Sequence, residues 1–351
     1  MKTPILSAKT FAAAMTGALV FWFFDFPLPF LFGPMSFCLL LALFGQNLAG
    51  FGQISVAART ILGVAVGTSL TPDVVATIPQ MAGSIALVPI YVALIAAIGV
   101  PFFQRVGGFD PVTSYYAAMP GGLQDMILFG QEAGGNARVL SLIHATRVLV
   151  IVILAPLILT GVYGASLNNP NGHPASELPI GEMALMVAAA LLGWKGGERI
   201  GLFGASILGP MIVSAALTMG GFLHSRPPAE AILTAQFFIG AGIGVHYVGV
   251  TFRELRQVVA AGLAFMVVLA ILAAAFAEVV TLFGLAPPME AFLAFAPGGQ
   301  AEMTVLSIIV GADLGFVIAH HLTRIVVVIV GAPIVARWLP ESGSVPWDRK
   351  K

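Results

Sequence analysis

Apolar residues run along this chain in long blocks, broken by short polar or Gly/Pro-rich interruptions, and the blocks come in two sets of six. In the first half they cover roughly 8–24, 31–46, 54–71, 76–104, 112–132 and 136–160. In the second half they return at about 180–195, 202–222, 231–248, 257–285, 289–310 and 313–338. Blocks this long, with so few charges, predict membrane-crossing helices rather than half-buried helices of a soluble core. The fifth block of each half is interrupted. Pro111 to Pro120 spans nine residues, and Pro288 to Pro297 spans nine again, each ending at a Pro-Gly-Gly. Nine helical residues rise about 14 Å, roughly half of a 30 Å hydrocarbon core. Proline there lacks a donor and glycine tolerates unusual dihedrals, so a helix break near the midplane is predicted. Non-helical backbone at that depth survives only where protein buries it or a water-filled cavity reaches it.

The two halves also share their polar residues. Pro120-Gly121-Gly122-Leu123-Gln124-Asp125-Met126 returns as Pro297-Gly298-Gly299-Gln300-Ala301-Glu302-Met303, and His144-Ala145-Thr146-Arg147 returns as His321-Leu322-Thr323-Arg324. Pro297 lies 177 residues after Pro120, as His321 does after His144 and Pro333 after Pro156. Gly63 and Gly67 extend the register to Gly240 and Gly244, and Gly33-Pro34-Met35 pairs with Gly209-Pro210-Met211 one residue out of step. Internal duplication of this kind is a signature of membrane transporters. It divides the chain into a first repeat (1–165), a linker (166–178) around the polar stretch 168–174, a second repeat (179–340) and a tail (341–351).

If all six blocks of each half crossed the membrane, the halves would point the same way; if the Pro-Gly-Gly segment is re-entrant, each half crosses five times and the second is inverted. The positive-inside rule separates the two. With Arg147 and Arg324 set aside as lying deep within their segments, fourteen of the sixteen Lys and Arg remain to be placed on one side or the other. Twelve spans divide the fourteen nine to five, with Arg138, Lys195, Arg199, Arg253 and Arg256 outside; ten spans divide them thirteen to one, with only Arg226 outside. The expectation is therefore an all-α polytopic membrane protein of two inverted repeats, each about five transmembrane helices plus one re-entrant or broken helix. Both termini would be cytoplasmic, in a bacterial inner membrane.

Composition agrees and removes other classes. Hydrophobic residues make up 58% and charged ones 9%, with a mean hydropathy of +0.98, against roughly 25% charged in soluble domains. A formal net charge of zero argues against nucleic acid as a partner. The single cysteine, Cys38, lies in an apolar block, which removes disulfides and cysteine-ligated metal. Lys2 and Lys9 precede an apolar run from about Thr10 to Phe24 with no small-x-small cleavage site behind it, so this reads as an uncleaved first helix. No cofactor is expected. Small-molecule substrate, H+ or Na+, the bilayer and a possible homodimer are the expected partners.

Candidate chemistry gathers at the repeats. Asp125 and Glu302 fall in the first turn after each break, where a carboxylate is either a proton or cation site or a complement to the new helix N-terminus. Gln124 and Gln300 stand beside them at different repeat positions. Arg147 and Arg324 lie eleven residues into the last block of each half, about 16 Å deep. Such an arginine stays charged and needs carboxylates, carbonyls or an anionic substrate; structural salt bridges to Asp125 and Glu302 are one solution, substrate binding another. His144 and His321 lie three residues earlier on the same face, as proton relays or packing residues. Thr146 and Thr323 flank the arginines, and Gly121, Gly122, Gly298 and Gly299 offer backbone to a substrate. The Gly-x-x-x-Gly pairs predict close helix packing, and the Gly-Pro-Met motifs predict kinks. His246, Tyr247 and His320 occur in one half only.

On Met119-Pro120-Gly121-Gly122, Ala296-Pro297-Gly298-Gly299 and the doubled His-x-x-Arg and Gly-Pro-Met motifs, the chain resembles the AbrB-type membrane protein family, sometimes labelled "ammonia monooxygenase". The resemblance covers nearly the whole chain. It implies a duplicated bacterial inner-membrane protein, an association with regulation of gene expression, and transport; it hands over no catalytic residues and no kinship with soluble DNA-binding AbrB regulators. Three readings follow. The leading one is a secondary transporter for a small, anionic metabolite, coupled to protons or sodium and using alternating access. Asp125, Glu302, His144 and His321 would couple the ion, and Arg147, Arg324, Gln124, Gln300, Thr146, Thr323 and the four glycines would bind substrate. A membrane regulator or scaffold acting through partner contacts is the alternative. A monooxygenase would need a redox metal or flavin, and each candidate histidine shares its face with an arginine that repels a cation, so no enzyme is expected. No Gly-x-x-x-x-Gly-Lys-Ser/Thr phosphate loop supports primary pumping either.

Overall fold

In a computed structural model the described residues are 2–26, 28–167, 172–202 and 204–336. Parts of the expected linker (168–171) and the whole expected tail lie outside them. Every regular element among the described residues is helical. The first half forms α1 (Lys2–Phe23), α2 (Pro29–Leu43), α3 (Gln53–Gly67), the short α4 (Pro72–Thr77) and α5 (Ala82–Ile85), α6 (Leu87–Phe102), α7 (Pro111–Ala118), α8 (Leu123–Glu132) and α9 (Ala137–Gly161). The second forms α10 (Ile180–Arg199), α11 (Ala205–Met219), α12 (Ala229–Val245), α13 (Phe252–Glu254), α14 (Ala260–Leu282), α15 (Pro288–Phe295), α16 (Gln300–Val310) and α17 (Leu314–Ala336).

Among the described residues five stretches are long and apolar enough to cross a membrane: Ile5–Phe23, Leu87–Gly107, Ala137–Gly161, Phe252–Leu282 and Leu314–Ala332. Two of these contain a π-helical turn, Phe103–Gly107 after α6 and Leu255–Val259 between α13 and α14. Helices α2, α3 and α11 have 15 residues each and α12 has 17. At 1.5 Å per residue these cover only about 22–26 Å, less than a typical 30 Å core.

The chain folds into two compact units, each drawing on both halves of the sequence. The first comprises Met1–Thr77, Ala165–Val250 and Thr304–Gly315; the second comprises Ile78–Gly164, Thr251–Met303 and Phe316–Lys351.

Glycine governs the first unit. A Cβ on Gly17 of α1 would strike the Gly33 carbonyl of α2, and one on Gly33 would strike Gly17 in return. Gly193 of α10 and Gly209 of α11 repeat that reciprocal contact. The Gly-x-x-x-Gly pairs then connect the halves crosswise. Gly63 and Gly67 of α3 face the Ile207 and Met211 carbonyls of α11, while Gly240 and Gly244 of α12 face those of Leu31 and Met35 on α2. Lipid supplies no hydrophobic drive between apolar helices, so close approach of small residues is what holds such crossings. Pro34 and Pro210 sit inside α2 and α11, and their Gly-Pro-Met motifs form the surfaces that receive these glycines. Cys38 is buried at one crossing, its Cβ 2.7 Å from where a Gly244 Cβ would stand.

The second unit holds both Pro-Gly-Gly segments. As the sequence predicts, each separates two short helices: Met119–Gly122 divides α7 from α8, and Ala296–Gly299 divides α15 from α16. Helix α7 opens on Pro111, with Asp110 accepting from the Thr113 amide at 2.8 Å; α9 opens on Asn136, which accepts from Val139 at 3.1 Å. These caps satisfy amides that a helix start leaves orphaned. Gln257 donates to the Gly107 carbonyl at 3.2 Å, and Arg138 pairs with Glu254 at 2.9 Å, so the ends of α6, α9 and α13 meet. Tyr163, beyond the other end of α9, packs on Phe292 of α15 with ring centroids 5.6 Å apart.

Candidate functional site at the helix breaks

A broken helix creates two problems at once, because the first half-helix ends in unpaired carbonyls and the second begins with unpaired amides. Here the His-x-x-Arg motif meets the first. Arg147 Nη1 donates to the Met119 carbonyl at 2.9 Å and Nη2 to that of Gly121 at 2.5 Å. Arg324 does the same to Ala296 at 2.9 Å and Gly298 at 2.6 Å. Three residues earlier, on the same helix face, His144 Nε2 bonds the Tyr116 carbonyl at 3.0 Å and His321 Nε2 that of Leu293 at 2.9 Å. A carbonyl only accepts, so both rings carry their proton on Nε2 and leave Nδ1 as an acceptor.

All four side chains are buried, Arg147 and Arg324 being 5% and 3% exposed. Placing arginine mid-membrane costs roughly 2.5–3.5 kcal/mol on insertion scales, while a hydrogen bond to a charged group is worth about 1.5–3 kcal/mol. Two carbonyls per guanidinium therefore offset the burial. The positive charge also sits at the negative end of the half-helix dipole. Both guanidiniums feel the charge of Glu302 as well.

The carboxylates meet the second problem. Asp125 reaches back over Gly122, the N-cap of α8, so that a Cβ on this glycine would collide with its Oδ2. Glu302 reaches back over Gly299 in the same way. Gly121 and Gly298 are crowded instead by Met126 and Met303, whose methyls would stand 2.7 and 2.6 Å from an added Cβ. Unusual dihedrals, the role the sequence suggested for these glycines, are not needed. None of the four has a positive φ, and Gly122 is at φ −63°, ψ 143°. A Cβ at any of the four would meet one of these side chains, which would have to shift to admit it.

The predicted residues thus gather at two equivalent places in one unit, with differences. Arg324 Nη2 also reaches His321 Nδ1 at 2.9 Å, whereas His144 Nδ1 has no hydrogen-bond partner. Glu302 is buried and Asp125 only partly so. Gln300 opens α16 as a buried residue with its Nε2 unpartnered, where the first copy has Leu123. Gln124 belongs to α8, but its side chain lies outside the described residues. Thr146 and Thr323 direct their hydroxyls to their own helix, at Leu142 (2.7 Å) and Ala319 (2.8 Å). Among the described residues no group of three metal-ligating side chains occurs.

Three contributors were not singled out from sequence. Met126 and Met303 are fully buried against the breaks, and their repetition was a visible signal. Tyr91, whose hydroxyl donates to the Phe295 carbonyl at 2.8 Å, has no counterpart, since Val268 stands at the matching position. Nothing in the sequence marked it. His320, occurring once, bonds its own helix at Phe316 (2.8 Å) and lies against that ring.

The profile of the family described as "Transition state regulatory protein AbrB" matches residues 30–340. The chain belongs to the AbrB family. Among curated relatives, it is 27% identical over 311 residues to a Bacillus subtilis (strain 168) protein named "Uncharacterized protein YhjN", covering 83% of this chain and 80% of that one. It is 25% identical over 315 residues to "Putative regulator AbrB" of Escherichia coli (strain K12), covering 89% and 90% respectively. The match takes in both breaks and both His-x-x-Arg motifs, so the AbrB-family region contains the whole candidate site.

Proposed function

We infer that this AbrB-family chain is a secondary active transporter for a small anionic metabolite, coupled to protons or sodium, in the bacterial inner membrane. One observation carries the reading. Two half-helices break at Pro-Gly-Gly, each with a carboxylate folded onto its new N-terminus and an arginine holding its free carbonyls. Discontinuous helices near the midplane, in repeats, are how many secondary transporters form substrate and ion sites. A protein that only docks partners has no use for two such costly, repeated constructions.

The contacts favour ten inverted spans over twelve parallel ones. A twelve-span thread sends Gly107 to one face of the membrane and Gln257 to the other, yet the two are hydrogen-bonded; Arg138 and Glu254 pair beside them. Ten spans put all four on the cytoplasmic side, with both termini.

Division of labour follows from the hydrogen bonds. Each histidine is committed through Nε2 to a carbonyl and turns its other nitrogen toward an arginine's helix face, a poor place for a proton in transit. Asp125 and Glu302 are the coupling groups in this reading, and the histidines hold the break. Arg147 Nε, Arg324 Nε and Gln300 Nε2 are buried donors without partners, and three spare donors favour an anion. Flux into liposomes containing the purified protein tests this, with proton or sodium gradients against a panel of labelled carboxylates. Asp125→Asn together with Glu302→Gln should lower uptake by about tenfold or more, since coupling needs the carboxylate charge, while leaving assembly intact. The name of the Escherichia coli relative favours the regulator reading; a regulator would show no gradient-driven flux and tolerate the double substitution.

A further inference from the structure

The two breaks differ in what they leave unpaired. At the first, His144 Nε2 donates to the Tyr116 carbonyl, while Nδ1, a lone-pair acceptor, has no partner. At the second, the matching nitrogen of His321 is covered by Arg324 Nη2 at 2.9 Å. What stays open there is a donor, on the residue that begins the second half-helix. Helix α16 opens on Gln300, 9% exposed with its Nε2 unpartnered, where α8 opens on Leu123. Gln124 is no equivalent. It lies one position further on, about 100° around its helix, and Ala301 stands at its place in the second copy. Arg324 adds another donor: its Nη groups are committed to the Ala296 and Gly298 carbonyls, yet Nε is buried without a partner. The first break has Arg147 Nε likewise, but with a leucine and an open acceptor in place of the amide.

Donors suit an anion. The start of α16 adds amides with no carbonyl of their own helix to bond, at the positive end of its dipole. The backbone at this break is also fixed in advance. Tyr91 donates to the Phe295 carbonyl at 2.8 Å, and His320 packs on the Phe295 ring with centroids 5.7 Å apart. Val268 and Ile143 stand at their places in the other copy. A site ordered before its ligand arrives binds at lower cost. Charge then limits the ligand. Each break has one arginine and one carboxylate, Arg324 with Glu302 and Arg147 with Asp125, a neutral sum. A single cation taken up at Glu302 compensates one negative charge, and surplus charge at this depth is expensive.

Resting on the transport reading above, we propose that the second break alone holds the substrate, that the substrate is a monocarboxylate, and that Gln300 selects it by donating to a carboxylate oxygen. The first break, with its open acceptor, serves the ion. The test is ligand-dependent thermal stability and liposome uptake of the full-length protein. The probes are acetate, butyrate, pyruvate and benzoate as monocarboxylates, with succinate and inorganic phosphate as the competing anions. At least one monocarboxylate should stabilise the protein at lower concentration than succinate or phosphate does. A hydrogen bond to an anion is worth about tenfold in affinity, so Gln300→Leu should raise the half-saturating concentration and the KM by about that factor with kcat little changed. Without ligand the same variant should be at least as stable as the unmodified protein, because it removes an unpaired buried donor; a glutamine with a structural role would give a loss. Gln300→Asn, which keeps the amide but withdraws it by one methylene, should weaken binding even if the leucine variant fails to assemble. Leu123→Gln, the reverse exchange at the first break, should leave KM unchanged. No stabilisation by any monocarboxylate, a KM indifferent to both Gln300 variants, or succinate or phosphate bound as tightly overturns the site. Binding that depends on Gln300 without gradient-driven flux would keep the site and remove the transport reading; flux indifferent to Gln300 would do the reverse.

Discussion

In the first unit helices meet through what is missing from glycine, and in the second through what arginine adds. Gly17 against Gly33, Gly193 against Gly209, and the two Gly-x-x-x-Gly pairs bring backbone onto backbone, with no charged side chain at these contacts and the Ser214 hydroxyl beside Gly67 at the α3–α11 crossing. The second unit keeps charged groups in its interior, held to exposed backbone at the breaks. The glycine crossings lie along continuous helices. The breaks leave four short helices, α7, α8, α15 and α16, whose ends at the Pro-Gly-Gly segments must then be satisfied. Discontinuous helices near the midplane supply backbone polar groups to substrate sites in many secondary transporters, and the two Pro-Gly-Gly breaks provide such backbone here. The proposed transport therefore rests on the breaks, with the glycine crossings as its support.

The sharpest way to break that contrast is to remove an arginine. Arg147→Met or Arg324→Met leaves two buried carbonyls unpaired and should cost about 3–5 kcal/mol, read as loss of the monodisperse protein in size-exclusion chromatography. Arg→Lys at either site should fall between, because a lysine lacks the planar fork that spans two acceptors. Equal stability of Arg147→Met and the unmodified protein would mean the carbonyls are satisfied another way. Gly63→Val and Gly240→Val test the first unit, where the added side chain meets the Ile207 or Leu31 carbonyl. Overpacking of this kind costs about 1–3 kcal/mol, visible as a lower thermal midpoint, and it should leave transport per folded molecule unchanged.

Smaller effects separate the two breaks. His321→Gln should cost more than His144→Gln by about 0.5–1.5 kcal/mol, because only His321 accepts from its arginine; thermal midpoints of the two variants measure the difference. Identical midpoints would make the breaks equivalent in spite of that bond. Asp125→Asn should change stability least, by under about 1 kcal/mol, since an amide keeps the capping shape over Gly122. Its flux should nevertheless fall, and a stability loss without a flux loss would reassign Asp125 to capping alone.

Much of this was legible beforehand. The Pro-Gly-Gly interruptions, the carboxylates one turn beyond them and the shared face of His144 with Arg147 all follow from local spacing, and local spacing along a helix is regular. The partners of the arginines were not legible. Carboxylates stood in the sequence as visible candidates, but backbone carbonyls have no letter, and the guanidiniums went to Met119, Gly121, Ala296 and Gly298. Spacing suggests unusual dihedrals for the glycines of the breaks, whereas the structure shows side chains close over them, Met126 and Met303 at Gly121 and Gly298, Asp125 and Glu302 at Gly122 and Gly299. Tyr91 was invisible because it breaks the repeat.

By itself the sequence determined the helical class, the apolar composition suited to a membrane, the duplication and the places where two helices must break, because these depend on hydropathy, on proline's missing amide and on residues within a few turns of one another. Only the tertiary structure decided that each compact unit takes elements from both halves, that α3 crosses α11 and α2 crosses α12, and that the buried arginines close the ends of half-helices some 28 residues earlier in the chain. Those choices depend on which backbone atoms are left unpaired after the helices form, and such atoms acquire their meaning only once the chain has folded around them.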